Sequence, residues 1–302
     1  MQARDLTTDL DLTTEDLTAL LHLAGQVKAS PRSYATVLSG KYLSLLFEKP
    51  SLRTRVTFEL AIKQLGGDAI VSTGTIGERE PLKDVARNLD RWTDCIVARV
   101  FKQETIDQLA HWSRVPVVNA LSDIYHPCQA LADMLTLRQR FGNLQGLRVA
   151  FCGDGNNVAH SLMLCCVRLG VHFAIATPQG YEPHANLVRD AAEMGAGTGA
   201  SVTVTHDPFE AVAGADAIYT DVWASMGQED EAAKRRLAFQ PYQVNEELMA
   251  GAKPGALFMH CLPAKRGQEL TDGVAESPNS VMFDQAENRL HVQKALLLML
   301  LQ

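Results

Sequence analysis

The segment Phe47-Glu48-Lys49-Pro50-Ser51-Leu52-Arg53-Thr54-Arg55 gathers two hydroxyls and two guanidinium groups into the five positions from Ser51 to Arg55. It follows a short apolar run, residues 42–47, and opens a stretch in which Val56, Leu60, Ile62 and Leu65 recur with helical spacing before Gly66-Gly67 stops it. A helix start offers unpaired backbone N–H groups and the positive end of the helix dipole. Ser51 and Thr54 add hydroxyls there, and Arg53 and Arg55 can fork onto phosphate oxygens. The plainer alternative is a serine-capped helix with two solvated arginines. It leaves the concentration of anion-binding groups unexplained, so the segment reads as an oxyanion site.

Four further segments could carry chemistry. In His126-Pro127-Cys128-Gln129 a histidine precedes a proline able to open a helix, so His126 can donate to a carbonyl oxygen with Gln129 one turn along the same face. A His-Pro pair alone is more often a turn with a satisfied histidine. Gly153-Asp154-Gly155-Asn156-Asn157-Val158 invites a dinucleotide reading, but valine stands where the third glycine of that fingerprint belongs. Its amide pair at a helix start suits a small carboxylate instead. Asp221, in Thr220-Asp221-Val222-Trp223-Ala224-Ser225-Met226-Gly227-Gln228-Glu229, can pair with an ammonium group. In His260-Cys261-Leu262-Pro263 the thiol beside a histidine could be a nucleophile or a metal ligand, or simply a buried strand-end cysteine. No further His, Cys or acidic residue falls at a recognisable ligand spacing, so no metal site is expected.

These segments need a scaffold that presents them at strand ends. Apolar runs at 42–47, 68–71, 95–100 (with Arg99 near the carboxyl end) and 115–120 alternate with helical patterns after Thr13 or Thr14, from 52, from 82 and through Gln129, Leu131, Met134 and Leu137. The pattern restarts after Phe141-Gly142-Asn143. Strands are expected at 147–152, 172–177, 201–205, 217–220 and 256–259, with helices at 158–169, 185–194, near 208–213 and 242–249, and at 285–301. Two alternating β/α series predict α/β domains, whose ligands collect at the carboxyl ends of the strands.

Composition narrows the classes. The 302 residues carry 28 Lys+Arg against 35 Asp+Glu, a net charge of −7, which disfavours a polyanion binder such as a nucleic-acid protein. Hydrophobic residues at 46 % suffice for a core and exclude a disordered chain. The longest fully apolar candidate, 295–301, is too short for a membrane span, and the N-terminus lacks signal or transit character, so a soluble cytoplasmic protein without membrane contact is expected. The six cysteines are scattered and show no Cys-x-x-Cys pair, which suits reduced core thiols.

Taken together, from Tyr42 to the C-terminal helix, the motifs resemble those of the aspartate/ornithine carbamoyltransferase family, in the family's order. Ser51-Leu52-Arg53-Thr54-Arg55 and His126-Pro127-Cys128-Gln129 match its carbamoyl-phosphate motifs. Asp221, Ser225-Met226-Gly227 and His260-Cys261-Leu262-Pro263 match its ornithine subgroup, with Arg99 and Ala286-Glu287-Asn288-Arg289 in support. The resemblance implies two α/β domains, each a parallel-stranded sheet flanked by helices and joined by interdomain helices. Residues 1–139 with 287–302 would bind carbamoyl phosphate, and residues 140–286 ornithine. It also implies a homotrimer or a multiple of trimers with active sites between subunits, and neither metal nor cofactor.

By the same resemblance, Ser51, Leu52, Arg53, Thr54, Arg99, His126, Gln129, Cys261, the Leu262 carbonyl and Arg289 surround carbamoyl phosphate. Asn157, Asp221, Ser225 and Met226 surround ornithine. Arg53, Thr54, Arg99, His126 and Cys261 are the implied catalytic set: the ornithine side-chain amine attacks the carbamoyl carbon, Thr54, Arg99 and His126 stabilise the carbonyl oxygen, and Arg53 with the helix start stabilises the leaving phosphate. Cys261 and Asp221 are expected to orient substrate rather than attack it. Two departures stand out: Thr75 occupies a loop position where many relatives carry a glutamine or histidine that reaches a neighbouring subunit's site, and Cys128 stands where threonine is frequent. Competing readings are a carbamoyltransferase for another amine, such as an acylated ornithine or putrescine, and a non-catalytic amino-acid-binding module. Asp221 disfavours the first, because its carboxylate is wasted on an acylated amine. Retention of Arg53, Arg55, His126 and Cys261 disfavours the second.

Overall fold

Short apolar strands alternate with helices along the chain in the computed structural model, which describes residues 3–49, 51–224 and 231–302. The chain divides into two compact units, Met1–Leu135 with Glu287–Gln302, and Thr136–Ala286.

The first unit opens with α1 (Thr14–Ala29), started by a capping box: the Thr13 hydroxyl accepts the Asp16 N–H, and the Asp16 carboxylate accepts the Thr13 N–H. Then come β1 (Tyr42–Phe47), α2 (Leu52–Lys63), β2 (Asp68–Thr73), α3 (Leu82–Leu89), β3 (Cys95–Arg99), α4 (Gln103–Trp112), β4 (Val117–Leu121) and α5 (Pro127–Phe141). The strands form a parallel sheet in the order β2-β1-β3-β4. Successive strands step one way from β1 to β2 and the other way from β1 to β3, so the topological switch point lies between β1 and β3. Register sets Phe47, Arg99 and Leu121 side by side at the carboxyl edge. Leu46, Ile96, Ala98 and Val117 of the sheet share a buried cluster with Ala86, Ile106 and Leu109 of α3 and α4. The apolar pattern assigns no element to α4, because Ile106 and Leu109 are its only buried residues, too few to mark a helical period.

The second unit contains β5 (Arg148–Cys152), α6 (Asn157–Arg168), β6 (His172–Ala176), α7 (Ala185–Thr198), β7 (Val202–Thr205), α8 (Pro208–Val212), β8 (Ala217–Thr220), α9 (Ala232–Phe239), α10 (Glu246–Ala250), β9 (Leu257–His260) and α11 (Asp272–Ala275). The chain re-enters the first unit within α12 (Met282–Leu301). Five parallel strands run in the order β7-β6-β5-β8-β9, with the switch point between β5 and β8. Ala150, Ile218 and Phe258 of the sheet pack with Val212, Leu248 and Val274. The single helix expected at 242–249 is two pieces, a 3-10 turn at Gln240–Tyr242 and then α10. Gln243 is extended, and the Asn245 side chain caps α10 by accepting the Leu248 N–H, which breaks the helical run. α9 likewise lies in a stretch the sequence pattern leaves unassigned. Among the described residues no helix is long and apolar enough to cross a membrane.

Candidate functional site

At the switch point of the first sheet, Ser51 occupies the N-cap position of α2 with extended backbone, yet its side chain makes no capping hydrogen bond. Its hydroxyl is therefore not spent on the helix. Thr54, in the first turn, is buried, and its Oγ1 accepts from Arg289 Nη2 at 2.8 Å and from Arg99 Nη1 at 3.4 Å. With both lone pairs engaged, the hydroxyl hydrogen remains to donate. Arg99 reaches this point from the end of β3, where the pairing with β4 slips between Ala98 and Arg99, an irregularity of the kind that re-aims a strand-end side chain. Arg289, from α12, also donates Nη1 to Gln129 Oε1 at 2.8 Å. Thr54, Arg99, Gln129 and Arg289 thus form one hydrogen-bonded group.

His126 precedes α5, and its carbonyl accepts the Gln129 and Ala130 N–H groups. Burial, together with the Arg289 and Arg99 charges, holds its imidazole well below the ordinary histidine pKa. His126 is therefore neutral at pH 7, a donor through one ring nitrogen only. Arg53 is half-buried, and among the described residues its guanidinium makes no hydrogen bond or ion pair. Leu52 is 75 % exposed. Arg55 departs from the expectation of a second phosphate fork: its Nε pairs with Glu59 Oε1 at 2.9 Å on the exposed side of α2. Positions two apart on a helix do not share a face, so Arg53 and Arg55 diverge.

At the switch point of the second sheet, Asn156 caps α6: its Oδ1 accepts the Val158 and Ala159 N–H groups, and its Nδ2 donates to Asp221 Oδ2 at 2.9 Å. The Cys261 thiol donates to Asp221 Oδ1 at 3.0 Å. Thr220 Oγ1 ties the end of β8 to β5 through the Cys152 carbonyl at 2.6 Å, and Thr220 pairs with His260 of β9. Register alone therefore brings Asp221 and Cys261, 40 residues apart, into contact. Asn157 is the first residue of α6, half-buried beside the cap. Gly155 is required by close packing, since a Cβ there would lie 2.2 Å from the Pro183 nitrogen. Leu262 has φ 59°, in the left-handed region that a leucine rarely adopts. It is held there by its N–H donated to His260 Nδ1 at 2.8 Å, while His260 Nε2 lies 3.4 Å from Glu269 Oε1, both side chains fully buried. Ser225 and Met226 lie outside the described residues.

Asp221, His260 and Cys261 each present one possible ligand atom within 4.8 Å of the others, and among the described residues they are the group that could hold a metal ion. The ligand spacing of the sequence hides this group because Asp221 joins it only through the β8 and β9 pairing. Its members are already engaged, the thiol with the carboxylate and Nδ1 with a backbone N–H. Asn156 enters the sequence reading only as half of an amide pair suited to a carboxylate, whereas its side chain is engaged in capping α6 and in donating to Asp221, and Arg235 has no signal in the sequence. Arg235 donates Nη1 to Asp154 Oδ2 at 2.7 Å and to the Trp223 carbonyl at 3.1 Å, bracing the segment after Asp221. Only the doubled asparagine gave any signal for Asn156.

Residues 4–139 match the carbamoyl-P binding domain of the aspartate/ornithine carbamoyltransferase family, and residues 145–300 match its Asp/Orn binding domain. The chain belongs to the aspartate/ornithine carbamoyltransferase family. It is 49 % identical to an ornithine carbamoyltransferase of Anoxybacillus flavithermus, over 100 % of this chain and 98 % of the relative. It is 48 % identical to a Pyrococcus furiosus relative described as an anabolic ornithine carbamoyltransferase, over 98 % of this chain and 96 % of that one. The solved structure of ornithine carbamoyltransferase from Pyrococcus furiosus superposes with a TM-score of 0.96 over 99 % of this chain and 97 % of that one. The two matched regions of the carbamoyltransferase family each contain one of the side-chain constellations described above, with Arg289 contributed to the first constellation from near the chain's end.

Proposed function

We propose that this chain transfers the carbamoyl group of carbamoyl phosphate to the side-chain amine of L-ornithine, giving L-citrulline and phosphate, and that it works in the biosynthetic direction, as the Pyrococcus furiosus relative is described. Ser51, Arg53 and the first N–H groups of α2 take the phosphate. The Thr54 hydroxyl, Arg99 and neutral His126 donate to the carbamoyl oxygen, where negative charge grows as the amine adds. The new bond joins the ornithine nitrogen to the carbamoyl carbon, the carbon–oxygen bond to phosphate breaks, and the amine sheds its proton to solvent or to the departing phosphate. Leu52, Gln129, Arg289, Cys261 and the Leu262 carbonyl complete the surroundings of carbamoyl phosphate. Asp221 takes the ornithine ammonium, with Asn157, Ser225 and Met226 around the rest. Neither metal nor cofactor enters this scheme.

The observation that carries this reading is the Thr54 hydroxyl held between Arg289 and Arg99 at a helix start. Such donors are fixed before the oxygen arrives and need no reorganisation during reaction. A colorimetric citrulline assay with carbamoyl phosphate tests it, run on ornithine, acetylornithine and putrescine. Ornithine should give by far the highest kcat/KM; no product from any amine would leave the non-catalytic module as the better account.

The proposed assembly is a homotrimer or a multiple of trimers. Leu52, Val56 and Leu60 form an exposed apolar stripe on one face of α2, and Ile70 on edge strand β2 is exposed as well. Such a surface suits burial against another copy of the chain. The proposed setting is the cytoplasm, where the six free thiols, five of them buried, stay reduced.

A further inference from the structure

We infer that Asp133 is a positioning residue for carbamoyl phosphate: it orients the Gln129 amide, which fixes the Arg289 guanidinium against the Thr54 hydroxyl. The inference rests on the carbamoyl-transfer reading above. Asp133 follows Gln129 by one helical turn on α5, so the two share a face. Gln129 Nε2 donates to Asp133 Oδ1 at 2.8 Å, Arg289 Nη1 donates to Gln129 Oε1 at 2.8 Å, and Arg289 Nη2 donates to Thr54 Oγ1 at 2.8 Å. All four side chains are at most 3 % exposed, so water does not compete for these bonds.

The direction of the relay follows from donor and acceptor inventory. A guanidinium carries only donors, so the amide must turn its oxygen to Arg289. Its NH2 then points the other way and needs an acceptor, which Asp133 Oδ1 supplies. Rotating the amide by half a turn would set NH2 against the guanidinium and oxygen against the carboxyl, two unfavourable contacts. Without Asp133 the buried NH2 loses its partner and the amide is no longer held in one sense. Arg289 would then lose the acceptor that keeps its fork aimed at Thr54. Asp133 acts on the site through Gln129.

Steady-state kinetics on the full chain, varying carbamoyl phosphate and ornithine separately, test this. Asp133→Leu should raise the KM for carbamoyl phosphate tenfold or more and leave the KM for ornithine within threefold. Asp133→Asn keeps an acceptor oxygen in place and should stay within threefold of the parent for both. A purely structural role would reduce the active fraction and leave the carbamoyl-phosphate KM within twofold of the parent, which would overturn the inference. Should Asp133→Leu fail to fold, a near-isosteric pair decides. Gln129→Glu sets two carboxyl groups against each other and should raise the carbamoyl-phosphate KM, and adding Asp133→Asn, whose NH2 can donate to the new carboxylate, should recover at least tenfold of that loss. No recovery overturns the inference. No citrulline from the parent overturns the carbamoyl-transfer reading and this inference with it, whereas an active parent with indifferent variants overturns this inference alone.

Discussion

Thr54 and Arg53 stand one position apart and have opposite relations to the protein. Thr54 is locked by two arginines, whereas Arg53 has no partner among the described residues, so its charge is available to a ligand. Arg53→Ala should therefore lower kcat/KM for carbamoyl phosphate by roughly a hundredfold, about 3 kcal/mol, as loss of a charge-assisted anion contact does. Its melting temperature should stay at the parental value. An unchanged rate would remove Arg53 from the site. Cys261 gives its thiol hydrogen to Asp221, and a serine hydroxyl can do the same. Cys261→Ser should raise the ornithine KM and retain measurable turnover; a carbamoyl-thioester trapped on the parent enzyme would instead make the sulfur a nucleophile.

His126 links the same scale to pH. Its folded pKa is depressed, so the unfolded chain takes up a proton that the native state refuses. The resulting contribution to stability is fully present above the ordinary histidine value of 6.5 and is lost as pH falls below it toward the folded value. Thermal unfolding from pH 7.5 to pH 5 should show the parent losing more stability than His126→Asn. Equal losses would mean that His126 does not hold its proton off. Activity should follow the ornithine amine instead, rising above pH 7 because an alkylammonium of pKa near ~10.4 must first lose a proton.

At the scale of elements, both constellations sit at the switch points of parallel sheets, β1 against β3 and β5 against β8. In each, a strand-to-helix turn supplies a helix start and the strand across the crevice supplies a polar side chain, Arg99 or Asp221. The turn after β5 depends on Gly155, whose missing Cβ leaves room for the backbone of Glu182 and Pro183. Gly155→Ala should destabilise the protein by roughly 1–3 kcal/mol, since backbone must move to admit the methyl group. It should also raise the ornithine KM more than the carbamoyl-phosphate KM; denaturant unfolding and kinetics on one preparation check both. Nearly every strand and most helices were legible in the sequence, because their apolar periods and stops are written over a few neighbouring residues. α4, α9 and the short α11 were not, because each buries only two side chains.

At the scale of the molecule, the net charge of −7 is silent about anion binding, because the positive groups that matter are local: Arg53, Arg99 and Arg289 at one sheet edge. The apolar stripe of α2 begins beside them with Leu52. Val56→Glu with Leu60→Glu should convert the assembly to monomers in sedimentation velocity, by burying charge at the proposed contact. A parent that sediments as a monomer while fully active would argue against any need for a second copy.

By itself the sequence determined the element order, the two β/α series and the residue types at each strand end, because these follow from caps, periods and stops spanning three or four positions. Tertiary structure decided which charges work together. Arg55 reads as Arg53's companion but turns to Glu59, while Arg289 reaches Thr54 across 235 positions of chain. Asp221 and Cys261 meet because β8 and β9 pair in one register, and Asp133 becomes significant only once Gln129 is seen between it and Arg289. Helical geometry and backbone propensity are local, whereas the aim of a buried guanidinium or amide is set by acceptors that only the folded chain brings within hydrogen-bond distance.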